Sequence, residues 1–352
     1  MASYALAIMI SGLVSLTMTP LVRSFALNKG ATVKPGERSV HTKPIPHMGG
    51  VAIYLGFTVG LLATVREVSP ETLGLLVGGA LTVLLGVSDD FFVLSPKAKL
   101  IGQIITSLVL VASGVRIEFL SNPYGGMILL GRFAVPLTVF WIVSLMNVVN
   151  FIDGLDGLAA GIVAIASLTM LFVARQIGQF AVATIAGAVA GACIGFLPYN
   201  FNPATIFMGD AGALFLGYAL AMISAEGTLK SATAIALVPV LALGLPIFDT
   251  AFAIIRRICN GRSPAAADRS HIHHRLLAMG LNQRQAVVLL YMASGLLGLT
   301  SILFLELGFR NAMPIIFLVL GGMVAAAKTL GVLDLREPEA SERTNADSTV
   351  AR

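Results

Sequence analysis

Apolar residues run along this chain in blocks of about 17 to 25, the length a helix needs to cross a hydrocarbon core of about 30 Å. Eleven blocks are readable, at about 4–22, 48–65, 71–88, 99–116, 128–146, 158–174, 180–198, 211–226, 231–255, 285–305 and 312–330. None shows the two-residue alternation of a barrel strand, and a helix satisfies its own backbone in lipid. The pattern predicts an all-α polytopic membrane protein with about 11 transmembrane helices. The first block has no basic leader and no small-residue cleavage site before Pro20, so it is expected to be a span and not a removable signal. The 36 glycines read mainly as sites of close helix contact.

Composition narrows the class. Hydrophobic residues make up 57% and charged residues 12%, against about 25% charged in soluble domains, and the mean hydropathy is +0.89. This excludes soluble globular domains, disordered chains, collagen and nucleic-acid-coating basic proteins, so no nucleic-acid partner is expected. The net charge of +5 matters through its placement. With the N-terminus outside, the inward loops are 23–47, 89–98, 147–157, 199–210 and 256–284, followed by a cytosolic C-terminus. That arrangement leaves only Arg66, Arg116, Arg132, Arg175, Lys230 and Arg310, of 23 Lys and Arg residues, on the outer side. Residues 1–333 read as one transmembrane domain and 334–352 as a polar, disordered cytosolic tail. The outward stretch 117–127 has the composition of a small hairpin. Cys193 and Cys259 are too few for a disulfide framework and read as inert thiols.

The chemistry-bearing residues collect on the inward side. All five histidines (His41, His47, His271, His273, His274) fall in inward loops. Beside them are Asp89–Asp90 at the end of one span, the run Asn147 to Leu158 (NVVNFIDGLDGL), and Asp210 in FMGDAG. Adjacent carboxylates repel unless a cation joins them, although solvated charges at a span end are a competing explanation. Asp153 and Asp156 are three apart, so on a helical turn they would share a face, with Asn147 and Asn150 extending one polar stripe. Gly154 and Gly157 would let a ligand approach the backbone. Asp210 reads equally as a helix N-cap or a metal ligand. Lys97 and Lys99 read as topology signals or phosphate binders.

In the HIHH stretch, the flanking Arg269 and Arg275 disfavour zinc and favour an anionic phosphate ligand. Asp249, inside the ninth span, would pair with a basic residue or orient a histidine. Acidic groups that suit magnesium, beside basic groups that suit phosphate, point to metal-assisted phosphoryl transfer on a lipid-borne substrate. A transporter is the rival class, but transporters place polar groups near the midplane with repeat symmetry, and no internal repeat is visible here.

These motifs, in their order, resemble the polyprenyl-phosphate N-acetylhexosamine-1-phosphate transferases: HTKPIPHMGG (41–50), the Asp89–Asp90 pair, NVVNFIDGLDG, FMGDAG and HIHH. The HIHHRL form is similar to bacterial enzymes that load N-acetylglucosamine-1-phosphate onto undecaprenyl phosphate, more than to the muramoyl-pentapeptide branch. His47 stands where the family's early loop often has Arg.

The resemblance implies transfer from UDP-GlcNAc, or another UDP-N-acetylhexosamine or UDP-MurNAc-pentapeptide donor, to undecaprenyl phosphate with release of UMP. That reaction would initiate O-antigen, enterobacterial-antigen or teichoic-acid synthesis at the bacterial cytoplasmic membrane, on its cytosolic face. It implies Mg2+, with Mn2+ able to substitute, held by Asp89, Asp90 and Asp210. Candidate catalytic residues are Asp89, Asp90, Asp153, Asp156, His271, His273 and His274. Substrate-binding positions are Lys43, Lys99, Asn147, Asn150, Gly154, Leu155, Asp156, Asn200, Phe207 and Arg269. Family members are often homodimers, so a homodimer is the expected assembly.

Overall fold

A computed structural model describes residues 3–33, 45–121, 126–227, 237–261 and 271–329. The expected site residues Lys43 and Arg269, with His41 and the 334–352 tail, lie outside the described residues. The rest form a helical polytopic membrane protein. In chain order the helices are α1 (Ser3–Asn28), α2 (Gly49–Leu62), α3 (Pro70–Phe92), α4 (Pro96–Ala112), α5 (Ala134–Ile152), α6 (Leu158–Gln176), α7 (Phe180–Asn200), α8 (Gly209–Gly227), α9 (Leu237–Ala242), α10 (Gly244–Cys259), α11 (Ile272–Ala278) and α12 (Gln283–Thr329). Seven segments among the described residues are long and apolar enough to cross a membrane, including two stretches of α12.

Local chemistry sets the helix starts. Ser69 caps α3 by accepting the Thr72 N–H, and Ser95 caps α4 by accepting the Ala98 N–H; each cap is followed by a proline that needs no amide partner. The expected hairpin is present as β1 (Phe119–Ser121) paired antiparallel with β2 (Met127–Leu129). Because Met127–Leu129 belong to that hairpin, α5 starts later than predicted and runs on to Ile152. Asn147 and Asn150 therefore lie in the last turns of a helix and not in a loop. Asp89 and Asp90 likewise belong to the last turn of α3.

Two regions of the chain differ from expectation. The predicted span 231–255 breaks at Leu243, between α9 and α10. Pro246 lacks the amide a continuous helix would use, and its ring clashes with the carbonyl four residues back. The predicted spans 285–305 and 312–330 are both present as membrane-length stretches, Gln283–Leu307 and Asn311–Thr329, joined without a break into one helix, α12, of 47 residues. The polar stretch between them is brief and holds no proline, so nothing in it interrupts helical bonding.

The core is a layered helix bundle. α1 packs on α2 and α7, α6 on α7, and α8 lies between α3 and α5. Glycine permits the closest of these approaches. A Cβ on Gly50 would collide with the backbone of Ala211 and Gly212, so the starts of α2 and α8 meet backbone to backbone. Hydrogen bonds from Gly49 N to Phe207 O (2.9 Å) and from Gly50 N to Met208 O (2.8 Å) fix that register. With the ends of α3 and α5 alongside, four chain segments converge on one side of the bundle.

Candidate functional site

The site begins at the turn from α3 to α4. Asp89 wraps the end of its own helix: its carbonyl accepts from Val93 N, and its Oδ1 accepts from Leu94 N at 2.7 Å. Val93 takes a left-handed conformation (φ 49°) to reverse the chain, unusual for a β-branched residue. This reversal carries Lys99, on the first turns of α4, back over the end of α3. Its ammonium lies 3.0 Å from Asp89 Oδ2 and also bonds Asp210 Oδ2. Asn150 completes the group, donating to Asp210 Oδ1 at 3.0 Å and accepting from Lys99 at 3.2 Å. Residues of α3, α4, α5 and α8 thus meet around one cation.

Asp90 faces the start of α8. Its Oδ1 accepts the backbone N–H of Asp210 at 3.3 Å, so Asp90 adds a second carboxylate to the positive end of that helix, where Asp210 sits in the first turn. Asp90 Oδ2 is buried with no hydrogen-bond partner among the described residues. His47, instead of meeting a phosphate, places its Nε2 3.1 Å from the Asp90 backbone carbonyl. An orphaned carboxylate oxygen beside Asp210, with a lysine drawn between carboxylates, fits a hard divalent cation with oxygen ligands. Among the described residues no three His, Cys, Asp or Glu side chains cage an ion by themselves.

The DGLDG run is not helical, which corrects the expectation that Asp153 and Asp156 share a helix face. Asp153 is the C-cap of α5 with ψ 51°, and Gly157 has φ +80° before α6 begins. The two aspartates part. Asp153 has no hydrogen-bond partner among the described residues, and burial, then the negative Asp210 and Asp156, push its carboxyl up to about 7. Asp156 turns the other way: its Oδ2 accepts from Asn202 Nδ2 and from Ala204 N, each at 3.0 Å.

Asn200, 2% exposed, accepts from Gly157 N and donates to the Ile206 carbonyl. Asp156 and Asn200 thus shape the 201–208 loop, whose Phe207 is half-buried and pairs by backbone with Pro46 and Gly49. Leu155 is buried beneath the turn. Asn147 also leaves the expected polar stripe. It exchanges amide hydrogen bonds with Gln103 of α4 (2.9 and 3.3 Å).

The histidines close the other flank. His271, His273 and His274 are contiguous in space, with ring centroids 5.7 Å apart for the first pair and 4.3 Å for the second. A Cβ on Gly154 would sit 2.5 Å from His273 Nε2, so the histidine helix packs directly on the DGLDG turn. Burial, followed by His274, lowers the His273 pKa to about 3 and keeps that ring neutral. His274 is exposed. Sequence reasoning passed over Gln103, Asn202 and Tyr291, whose hydroxyl donates to the Gly157 carbonyl at 2.5 Å. An isolated polar group within an apolar stretch was the available signal for the first and last.

Comparison with known proteins bears on this geometry. The profile described as Glycosyl transferase family 4 matches residues 72–228. A Bacillus subtilis protein named a probable undecaprenyl-phosphate N-acetylglucosaminyl 1-phosphate transferase is 39% identical over 336 residues, 95% of this chain and 94% of its own length. This chain belongs to the polyprenyl-phosphate N-acetylhexosamine-1-phosphate transferases. A decaprenyl-phosphate N-acetylglucosaminephosphotransferase of Mycolicibacterium smegmatis is 36% identical, with 82% of this chain and 80% of the relative covered. An undecaprenyl-phosphate alpha-N-acetylglucosaminyl 1-phosphate transferase of Yersinia pestis is 30% identical, with 83% and 81% covered. Within the transferase family's matched segment lie Asp89, Asp90, Lys99, Asn150, Asp153 and Asp210; the histidine helix lies beyond it.

Proposed function

We propose that this chain transfers N-acetylglucosamine-1-phosphate from UDP-GlcNAc to undecaprenyl phosphate at the cytosolic face of the bacterial cytoplasmic membrane. The product is undecaprenyl-pyrophosphoryl-GlcNAc, and UMP is released. The observation that carries the reading is the convergence of Asp89, Asp90, Lys99, Asn150 and Asp210 from four helices at one end of an apolar bundle. A lipid phosphate held by its chain in the bilayer meets a water-soluble nucleotide sugar only at such a boundary.

An oxygen of the acceptor phosphate attacks the β-phosphorus of the donor, and the bond from that phosphorus to the bridging oxygen breaks as UMP leaves. The acceptor is already anionic near pH 7, so the reaction asks chiefly for alignment and charge compensation. Lys99 supplies a fixed positive charge at the phosphates, and Asp89 holds that ammonium in place, since both Asp89 oxygens are engaged in the structure. Asp90 and Asp210 would hold Mg2+, with Asp89 beside them. The metal, when bound, supplies neutralisation of the diphosphate and of the departing UMP. The Asp153 turn, on which the histidine helix packs through His273 and Gly154, would meet the sugar–diphosphate.

A donor screen tests the reading. Purified protein in detergent, undecaprenyl phosphate and magnesium are mixed with UDP-GlcNAc, UDP-GalNAc or UDP-MurNAc-pentapeptide, and UMP release is followed with and without chelator. Chelator-sensitive release from UDP-GlcNAc alone is expected. Release only from another donor would reassign the sugar, and no release from any would overturn the reading.

A further inference from the structure

Asp249 lies on α10, 5% exposed, and takes no part in the carboxylate cluster. One short stretch of chain uses both its oxygens: His271 Nδ1 is 2.8 Å from Oδ2, and the Ile272 N–H donates to Oδ1 at 2.9 Å. A carboxylate that only accepts at both oxygens would require the proton of this contact to sit on Nδ1 of His271. His271 is the N-cap of α11 and offers no side-chain cap of its own, so a residue on another helix serves that end. The imidazole is 6% exposed and lies parallel to His273, with Phe151 a further 6.5 Å away. A buried carboxylate inside an apolar helix is costly unless it is put to use.

We propose that Asp249 is a positioning residue of the transfer site. It holds His271 in the Nδ1-protonated form and leaves Nε2 as the ring atom that meets the sugar–diphosphate donor. The nature of that ligand rests on the transferase reading; the pairing itself does not. Asparagine cannot reproduce the arrangement. Its single oxygen serves either Ile272 N–H or the ring, and its NH2 then faces the other. With the oxygen on Ile272, the ring must accept from the amide and move its proton to Nε2, the wrong form for a site built around a free Nε2.

The chain has only five histidines, so 15N-histidine labelling with His271→Gln as the assignment variant reads this ring directly. The wild type is expected to show protonated Nδ1 at His271, and Asp249→Asn to show the proton moved to Nε2. In UMP-release assays Asp249→Asn is expected to lower kcat about 10- to 100-fold, the usual range for losing a carboxylate that orients a working histidine. The KM for undecaprenyl phosphate should stay unchanged, and Asp249→Glu should retain more activity than Asp249→Asn.

Asp249→Asn combined with His271→Gln is expected to be no slower than His271→Gln alone, because one residue acts through the other. Additive losses, or a wild-type ring protonated at Nε2 alone, would overturn the proposal. If the wild type released no UMP from any donor, the transferase reading would fall, and the labelling experiment would still decide the pairing.

Discussion

Lys99 reaches back across the α3–α4 turn to place its ammonium 3.0 Å from Asp89 Oδ2, while Asp89 Oδ1 holds the Leu94 amide of that same turn. A carboxylate so engaged is a clamp on the lysine, not a free base. Asp89→Asn keeps an acceptor for Leu94 and loses the ion pair. It is expected to retain kcat within about tenfold and to raise the KM for undecaprenyl phosphate. A kcat loss of about 1,000-fold at unchanged KM, in the range of a true general base, would contradict this.

Removing the ammonium itself should separate metal binding from turnover. Lys99→Met is expected to lower kcat/KM about 100- to 1,000-fold, as losing one fixed electrostatic contact does. Binding of Mn2+ without substrate, followed by electron paramagnetic resonance, should be as tight as in the wild type or tighter, since a competing cation has left Asp89 and Asp210. Weaker binding would show that Lys99 helps build the metal site.

Asp156 Oδ2 accepts from both Asn202 Nδ2 and Ala204 N, so Asp156→Asn can put its amide oxygen in that place, keep both bonds and lose less than about 1 kcal/mol. Asp156→Leu removes the acceptor from both donors, of which Asn202 keeps Gln283, and is expected to cost about 1–3 kcal/mol. Thermal melting in detergent should rank the two variants in that order, and equal losses would contradict it.

Asp153 and His273 should respond oppositely to pH. The Asp153 pKa is raised to about 7 in the folded chain, so between about pH 4 and 7 the folded state binds more protons and stability falls as pH rises. His273 is lowered to about 3, so the unfolded state binds more protons up to about pH 6.5 and stability rises with pH over that window. The stabilising effect of Asp153→Asn, read as a melting-temperature difference from wild type, should therefore be larger at pH 8 than at pH 5. For His273→Gln, stability relative to wild type should be better at pH 5 than at pH 8. Differences independent of pH would disprove both assignments.

Much of this was legible in the sequence, for physical reasons. Lipid forbids exposed backbone, so apolar blocks had to be helices, and a shared membrane side was enough to group Asp89, Asp90 and Asp210. What escaped was direction. Asn147 and Asn150 are three apart on α5, but a three-residue step turns about 60° short of a full circle. One therefore reaches Lys99 and Asp210 while the other meets Gln103. Asp156 was misdirected because the helical spacing rule was carried past Ile152, where the helix has ended. The two spans read at 285–305 and 312–330 are both present, but the short polar stretch between them, which resembles a loop on paper, stays helical within α12.

Asp90 holds the Asp210 amide in the first turn of α8 with one oxygen and leaves the other bare beside Asp210. Architecture and chemistry are therefore written into one codon. A chain under pressure from a compound bound at this site could escape through the 201–208 loop or the histidine helix, where contacts are shared among several side chains. Replacing Asp90 would take an acceptor from the start of α8 along with the carboxylate proposed to hold the metal, so a ligand that leans on Asp90 presses where resistance has least room to arise.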